Sequence, residues 1–185
     1  MRHRLGPEFF DELYARNPDP WDFETSAYEA HKFDATIAAL EPPYASALEV
    51  GCANGVLSER LAERCETLLA IDVVDAVLAR ARERVPGVTF ERREIPEQWP
   101  DGAYDLIVCS EVLYYLDPPA FDRTLTEIDR TLVPGGSLLA VHWRHQTTRY
   151  PLLGDEVHAR LAELGWPVAL ELRTPDYVLH RFDRP

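Results

Sequence analysis

A glycine-containing loop and an acidic residue farther along the chain are the clearest candidates for a ligand site. The loop reads Glu49-Val-Gly51-Cys52-Ala53-Asn-Gly55. Its glycines allow close approach of the backbone to a ligand, and a following helix would offer unpaired N–H groups. Asp72 ends the next apolar segment, where a carboxylate can accept hydrogen bonds from both hydroxyls of a ribose. Together they predict a nucleoside-binding site, although Asp72 could instead cap the next helix.

Two residues after the third apolar segment could complete such a site. Glu94 stands where a carboxylate can accept a hydrogen bond from an adenine amino group, and Ile95 can pack on the adenine face. The alternative for Glu94 is a solvated side chain within the charged run Glu91–Glu94.

The residues that could carry out a reaction follow the fourth and fifth apolar segments. Glu111 is the one carboxylate in Ser110–Leu116, and burial there would raise its pKa and make it a possible base. His142 can remove a proton near neutral pH. A loop-orienting Glu111 and a structural His142 are the alternatives. The other residues expected to contact a substrate are Tyr114, Tyr115, Arg144 and His145. No metal site is predicted, because the spacing offers no third and fourth ligand.

Two helices are predicted before these loops. Pro7–Arg16 has apolar side chains on one side, and the prolines of Asn17–Trp21 must end it. A second helix is predicted over Ser26–Leu40, with Ser26 as its N-cap and Glu29 three residues later.

Strands and helices then alternate along the chain. The predicted strands are Ala47–Val50, Thr67–Asp72, Val88–Arg93, Tyr104–Ser110, Ser137–Trp143, Val168–Arg173 and Tyr177–Phe182. The predicted helices are Gly55–Glu63, Asp75–Arg84 with Asp75 as its cap, Pro118–Leu132 ended by Pro134–Gly136, and Asp155–Leu164.

This alternation predicts an α/β fold with a doubly wound, mostly parallel sheet of seven strands. The last two strands must be antiparallel, since their connection is too short for a parallel crossover. Ligands of such sheets bind outside the carboxyl ends of the strands, where the candidate residues above lie.

Composition limits the partners of the chain. Its 185 residues suit one domain. With 32 acidic and 19 basic residues the net charge is −13, which disfavours nucleic acid as a partner. The sequence has no apolar run as long as a membrane span and no apolar stretch typical of a signal peptide. Three widely spaced cysteines, Cys52, Cys65 and Cys109, do not indicate a disulfide framework. We therefore expect a cytoplasmic protein with reduced thiols, either a monomer or a homodimer.

These motifs, taken as a set, resemble those of class I S-adenosylmethionine (SAM)-dependent methyltransferases, which have a Rossmann-like fold. That resemblance covers roughly Ala47–Trp143 and rests on Glu49–Gly55, Asp72, Tyr104–Ser110 and Leu132–Gly136. A narrower resemblance, to the nodulation protein S family of N-methyltransferases, rests on Asp19–Trp21, Tyr28-Glu29, Ala47–Ala53, Ile71–Val73 and Glu111–Leu116. It weakens beyond Trp143.

The resemblance implies roles for individual residues. Gly51, Ala53 and Gly55 would line the methionine part of SAM, Asp72 would hold the ribose, and Val73 would lie beside the adenine. Glu94 stands where the family has an aspartate, and Lys32, where an arginine is usual, could pair with the methionyl carboxylate. Trp21, Tyr28 and Lys32 would form a lid that excludes water. The full set expected to contact the cofactor is Trp21, Tyr28, Lys32, Glu49, Gly51, Cys52, Ala53, Gly55, Asp72, Val73, Glu94, Ile95, Ser110 and Glu111.

The expected function is therefore SAM-dependent methylation of an amine on an amino sugar or oligosaccharide. The family acts on the free amine of a deacetylated chitooligosaccharide. An O-methyltransferase acting on a sugar or small metabolite and a non-catalytic SAM-binding module are the alternatives. A nicotinamide-dependent oxidoreductase is disfavoured by the Gly-x-x-x-Gly spacing. We expect one domain, with a lid over residues 1–41, a SAM-binding core over 42–143 and a substrate-shaping part over 144–185.

Overall fold

The computed structural model describes residues 3–41 and 43–185, and it confirms the predicted alternation of strands and helices. The first two residues of the expected lid, and Pro42 at the start of the expected core, lie outside the described residues. The helices are α1 Pro7–Arg16, α2 Ala27–Ala38, α3 Val56–Leu61, α4 Asp75–Arg84, α5 Pro118–Thr131 and α6 Gly154–Ala162, with a short 3-10 helix at Leu113–Tyr115. The strands are β1 Tyr44–Val50, β2 Cys65–Asp72, β3 Thr89–Arg92, β4 Tyr104–Ser110, β5 Leu132–Trp143, β6 Val168–Arg173 and β7 Tyr177–Asp183.

The seven strands form one sheet in the order β3-β2-β1-β4-β5-β7-β6. Strands β1 to β5 are parallel, whereas β7 is antiparallel to both β5 and β6, as the short connection before it predicts. The winding direction changes between β1 and β4, so the loops that follow these two strands diverge and leave a crevice.

Strand β4 shows why the centre of the sheet is apolar throughout. Ile107 and Cys109 pack on one side with residues of α5 and α6, and Leu106 and Val108 pack on the other with residues of α2 and α3. Both faces of the strand are therefore covered, and these four side chains are fully buried.

Several predicted boundaries are wrong, for local reasons. Strand β5 starts at Leu132, because Leu132 pairs with Tyr104, and the Gly135 N–H donates to the Arg184 carbonyl. Pro134–Gly136 therefore lie within an irregular part of the strand. Asp75 does not cap α4: Val74 is the N-cap, and no side chain caps this helix.

The remaining helix and strand ends coincide with the predicted ones or differ from them by at most three residues. Helix α3 begins at Val56, with Gly55 as a left-handed N-cap residue (φ of 80°), and it ends at Leu61. Ser26 is confirmed as the N-cap of α2, since its hydroxyl accepts from the Glu29 N–H.

The N-terminal segment covers the carboxyl ends of the strands. The Leu5 N–H donates to the Tyr115 carbonyl, and the Phe10 ring meets the Tyr115 ring edge to face, with 5.0 Å between centroids. Tyr14 meets Trp21 in the same way at 5.7 Å. These contacts fix α1 and the turn after it above the crevice.

No helix within residues 3–41 and 43–185 is long and apolar enough to cross a membrane.

Three histidines lie buried in a row beneath the crevice. His142 of β5 accepts a hydrogen bond from the Leu113 N–H at Nε2, and its Nδ1 lies 3.1 Å from Nε2 of His158 in α6. The His158 ring meets the His180 ring of β7 at 4.7 Å. Burial lowers the pKa of His142 to about 4 and places that of His158 well below its usual value. His142 and His158 are therefore neutral in the folded protein.

Acid should destabilise the fold through His142 and His158. An unfolded histidine takes up a proton below about pH 6.5, but these two buried rings do so only at lower pH, so stability present above about pH 6.5 is lost as the pH falls through their folded pKa values. For His142, with a folded pKa of about 4, the loss between about pH 7.5 and pH 5 is about 2 kcal/mol. Urea unfolding at the two pH values measures it.

Matched variants separate this effect from general acid denaturation. His158→Leu should lose less free energy of unfolding than the wild type over that pH interval. His31→Gln, at an exposed position of α2, should lose as much as the wild type. An unchanged pH dependence in His158→Leu contradicts the assignment.

Candidate active site

A cavity of about 300 Å³ lies in the crevice, between the strand ends and the N-terminal segment. From the strand ends its lining includes Val50, Gly51, Ala53, Asp72, Val73, Glu94, Ile95, Ser110, Glu111, Tyr114, Tyr115 and Trp143. From the N-terminal segment it includes Arg4, Leu5, Phe10, Tyr14, Trp21, Phe23, Tyr28, Glu29 and Lys32. The structure thus brings most of the sequence-predicted site residues together around one space.

Asp72 holds the glycine-containing loop in shape. Its Oδ2 accepts from the Ala53 N–H at 3.0 Å, and its Oδ1 accepts from the Val74 N–H at 3.1 Å. Gly51 (φ of 78°) and Ala53 (φ of 47°) are both left-handed. A Cβ on Gly51 would also lie 3.0 Å from Val112, so this position favours glycine. The loop and the carboxylate form one preorganised wall of the cavity.

Three of the predicted cofactor residues do not line the main cavity. Glu49 and Cys52 line a smaller one of about 30 Å³ beneath the loop. Glu49 is buried and accepts from the Ser58 hydroxyl at 2.5 Å, and burial raises its pKa to about 8. Gly55 faces Ala81 of α4, 3.0 Å from where a Cβ would stand. These three residues therefore pack on the side of the loop that faces away from the main cavity.

Glu94 and Ile95 lie on the cavity wall where they were expected, but Glu94 has a protein partner. Its carboxylate pairs with Arg4 at 2.9 Å, and Arg4 also pairs with Glu97 at 2.7 Å. Sequence reasoning missed Arg4, because it lies in an irregular segment with no motif around it. The pair ties the start of the chain to the loop after β3.

Lys32 forms the most buried ion pairs of the cavity wall. Its Nζ lies 2.6 Å from Glu111 Oε1 and 3.0 Å from both oxygens of Glu29, and its side chain is 2% exposed. Glu111 accepts two more hydrogen bonds at Oε2, from the Tyr114 hydroxyl at 2.6 Å and the Trp143 N–H at 2.9 Å. The Glu111 carboxylate is thereby joined to α2, to β5 and to its own loop.

This geometry contradicts the expected rise in the pKa of Glu111. Burial by itself would raise that pKa, but the adjacent Lys32 ammonium and the hydrogen bonds from Lys32 and the Trp143 N–H outweigh it and lower the pKa. Glu111 is therefore an ionised carboxylate that already accepts three hydrogen bonds. Its left-handed backbone (φ of 56°) is held by the same contacts, which agrees with its alternative role of orienting the loop.

His142, Arg144 and His145 do not line the cavity, which corrects their predicted roles. Both ring nitrogens of His142 are engaged beneath the loop, and the side chain is fully buried. Arg144 pairs with Asp155 at 2.9 Å, and His145 lies 2.8 Å from Asp176 on the surface. The sequence placed them at a strand end but could not show that β7 lies beside them. In this arrangement His142 has no free nitrogen to act as a base.

The tyrosines after β4 do face the cavity, and a third one joins them. Tyr114 stacks on Tyr150 with 4.9 Å between ring centroids, and Tyr115 meets Tyr150 edge to face at the same distance. Tyr150 lies beyond the last recognised motif, and no sequence pattern indicated its role. These rings form an apolar half of the cavity opposite the glycine-containing loop. Over residues 3–41 and 43–185, no group of three or more potential ligands could hold a metal ion.

Comparison with known families decides where this arrangement belongs. The sequence model described as nodulation protein S (NodS) matches residues 10–149, which include the N-terminal segment, the glycine-containing loop and Glu111. The chain belongs to the nodulation protein S family.

Individual relatives agree with this assignment. The chain is 35% identical to nodulation protein S of Sinorhizobium fredii over 65% of its own length and 59% of that protein. It is 34% identical to nodulation protein S of Bradyrhizobium diazoefficiens over 69% and 68%. The chain thus spans about three fifths of the length of the Sinorhizobium relative.

A solved structure extends the agreement to the fold. The N-methyltransferase NodS from Bradyrhizobium japonicum WM9, in complex with S-adenosylhomocysteine, superposes with a TM-score of 0.83 at 26% identity. The match covers 98% of this chain and 100% of that one. The sheet with its antiparallel end is therefore the Rossmann-like fold of the methyltransferases.

Removing the Lys32 charge should strongly lower the free energy of unfolding at neutral pH. Lys32→Met would leave Glu29 and Glu111 buried without their cation, and breaking such a pair costs about 3–5 kcal/mol. The penalty should shrink on acidification, because without Lys32 the pKa of each carboxyl rises in the folded state and protonation removes the buried charge. Urea unfolding at neutral pH and near pH 5 measures both effects.

An exposed pair provides the control for that experiment. Arg60 pairs with Asp34 on the surface, where the two side chains are 33% and 68% exposed. Arg60→Met should cost under about 1 kcal/mol at either pH. Equal small losses in both variants would show that the Lys32 ion pairs do not stabilise the fold.

Proposed function

We propose that this chain is a SAM-dependent methyltransferase that methylates an amine of an amino sugar or oligosaccharide. The observation that carries the proposal is the cavity between the glycine-containing loop with Asp72 and the tyrosine-lined half. In a member of the nodulation protein S family, this is a site with room for a nucleoside on one side and an acceptor on the other.

The residues on the β1–β3 side fit the nucleoside part of SAM. Asp72 keeps acceptor capacity beyond the two N–H groups it already binds, since a carboxylate has about four lone-pair sites. Val73 and Ile95 offer apolar surface to the adenine, and Glu94 lies beside them. Lys32 is already paired with two carboxylates. We therefore do not assign it to the methionyl carboxylate.

The protein itself does not have to activate the methyl group. When bound, SAM provides an activated methyl group on a positively charged sulfur. The loop and Asp72 hold one wall fixed, and the tyrosines hold an acceptor against it, so the contribution of the protein is alignment. The N-terminal segment, with Trp21 and Tyr28 over the cavity, acts as the lid that excludes water.

The hydrogen bonds of Glu111 and the burial of His142, the two expected bases, favour an amine over a hydroxyl as methyl acceptor. A hydroxyl must lose its proton to become a good nucleophile, and it would need a base beside it. Glu111 is ionised and already accepts three hydrogen bonds, and His142 is buried outside the cavity. An amine needs only to be in its neutral form, and an ammonium releases its proton to a carboxylate far more readily than a sugar hydroxyl does. A non-catalytic SAM-binding module would bind SAM but transfer no methyl group.

Mass spectrometry with an acceptor panel tests the proposal directly. The protein and SAM are incubated with deacetylated chitooligosaccharides and other amino sugars, and a gain of about 14 daltons on an acceptor is the expected result. The matched N-acetylated sugars should gain nothing. SAM binding without transfer to any acceptor would support the binding-module alternative, and absence of SAM binding would refute the assignment.

Asp72→Ala should weaken SAM binding about 10- to 100-fold, because it removes hydrogen bonds to a charged acceptor and loosens the loop. Isothermal titration calorimetry gives the dissociation constant. Asp75→Ala is the matched control, since Asp75 lies three residues away with its side chain 77% exposed. Equal affinity in the two variants would remove Asp72 from the cofactor site.

A further inference from the structure

Two buried polar atoms on the cavity wall have no hydrogen-bond partner. They are Glu29 Oε2 and the Tyr28 hydroxyl, on adjacent residues in the first turns of α2. Glu29 is 7% exposed, and both residues line the cavity. Glu29 Oε2 contacts Lys32 Nζ at 3.0 Å as an ion pair, while the hydrogen bond goes to Oε1, so Oε2 keeps unused acceptor capacity and the Tyr28 hydroxyl has no hydrogen-bond partner. Buried polar groups with unused hydrogen-bonding capacity favour a ligand that supplies the missing partners.

The charges around these atoms favour a cation. Lys32 lies between Glu29 and Glu111, so the cluster of one ammonium and two carboxylates has one negative charge in excess. Glu111 accepts three hydrogen bonds, whereas Glu29 accepts only one from a side chain. Glu29 therefore carries both the unused hydrogen-bond acceptor capacity and the excess negative charge of this cluster.

The position of Tyr28 puts these atoms on the acceptor side of the cavity. Its ring meets the Tyr177 ring at 6.4 Å, and Tyr177 pairs with Trp143 across β7 and β5. Asp72 and the glycine-containing loop belong to β1 and β2, on the other side of β4. A group bound by Glu29 and Tyr28 thus lies over the half of the sheet that does not carry the loop.

We propose that Glu29 and Tyr28 bind the protonated amine of the methyl acceptor, and that Glu29 then takes its proton. An N–H bond of the ammonium breaks, an O–H bond forms at Glu29, and the electron pair left on nitrogen becomes the nucleophile of the methyl transfer. This inference rests on the proposed function. It assigns proton removal to a residue on the lid, in place of the two that the sequence suggested.

The surroundings of Glu29 suit proton uptake. Burial raises its pKa, and the Lys32 ammonium only partly opposes this, while the Glu111 carboxylate adds to it. Burial also raises the pKa of Tyr28 to about 12, so this hydroxyl stays protonated. The titratable or charged groups facing the pair are Lys32 on the same helix, Glu111 after β4, Asp19 before α2, and Asp176 and Tyr177 at the start of β7.

Ligand binding without turnover tests the recognition step. The protein is saturated with S-adenosylhomocysteine and titrated calorimetrically with a panel of primary amines, including glucosamine, and with their N-acetylated counterparts. The wild type should bind the amines more tightly than the uncharged amides. Glu29→Gln should lose that preference, and Tyr28→Phe should weaken it about 5- to 10-fold, as expected for one lost hydrogen bond. Both variants should keep the wild-type affinity for S-adenosylhomocysteine.

The dependence of turnover on pH tests the proton transfer. At neutral pH, kcat/KM of Glu29→Gln should fall about 10²- to 10⁴-fold, the usual range for loss of a base. The loss should shrink about tenfold per pH unit as the pH rises towards the pKa of the free amine, because the amine then arrives neutral. A merely structural role would lower kcat/KM by one factor at every pH. Glu12→Gln removes a carboxylate that is 72% exposed on α1 and should behave as the wild type.

The outcomes separate this inference from the proposed function. Failure of the wild type to bind S-adenosylhomocysteine would refute the function itself. Normal binding of that product with equal affinity for amines and amides would refute the inference alone. Loss of S-adenosylhomocysteine affinity in Glu29→Gln would also overturn it, since the carboxylate would then face the cofactor. Thermal unfolding of each variant shows whether the fold is kept.

Discussion

The ion pair between Lys32 and Glu111 joins the two parts of the molecule that must meet for a site to exist. Lys32 belongs to α2 in the N-terminal segment, and Glu111 follows the central strand β4. Taking both charges out of water is unfavourable unless geometry and further hydrogen bonds compensate. The Tyr114 hydroxyl and the Trp143 N–H supply those bonds. The Glu111 carboxylate consequently fixes the relative positions of the lid, the loop after β4 and the end of β5.

The same constraint explains which chemistry the site retains. A carboxylate used for assembly is not free to exchange protons, and a histidine used to hold the Leu113 N–H is not free to do so either. Glu29 differs because it is buried with capacity unused. The distinction between a structural and a reactive carboxyl group in this cavity thus lies in the number of partners, since both are buried.

Much of the fold could be predicted from sequence, because its signals are local or periodic. The nearly continuous apolar run of β4, the short connection before β7 and the Ser26 cap each depend on a few adjacent residues. The same holds for the loop with Gly51 and for Asp72. Contacts between distant segments could not be predicted in this way. Sequence reasoning placed His142 at the site because it ends a strand, but only the packing of α6 beneath β5 shows that the ring is enclosed.

Arg4 and Tyr150 were missed for a related reason. Neither belongs to a motif or a periodic pattern, and each reaches the cavity through a segment whose path depends on tertiary packing. The pKa of Glu111 was predicted in the wrong direction because burial was counted without Lys32, whose distance from it in sequence conceals the contact.

The burial of Lys32 has one more consequence for a protein proposed to methylate amines. Lys32 is the only lysine in the sequence, and the other basic residues that carry a permanent charge are arginines. A guanidinium is a poor nucleophile because its electrons are delocalised and it does not lose its proton at physiological pH. The arginine side chains of this protein are therefore cations that cannot act as methyl acceptors in place of an amine. The one side-chain amine is held protonated by its ion pairs with Glu29 and Glu111, so it has no free electron pair for self-methylation.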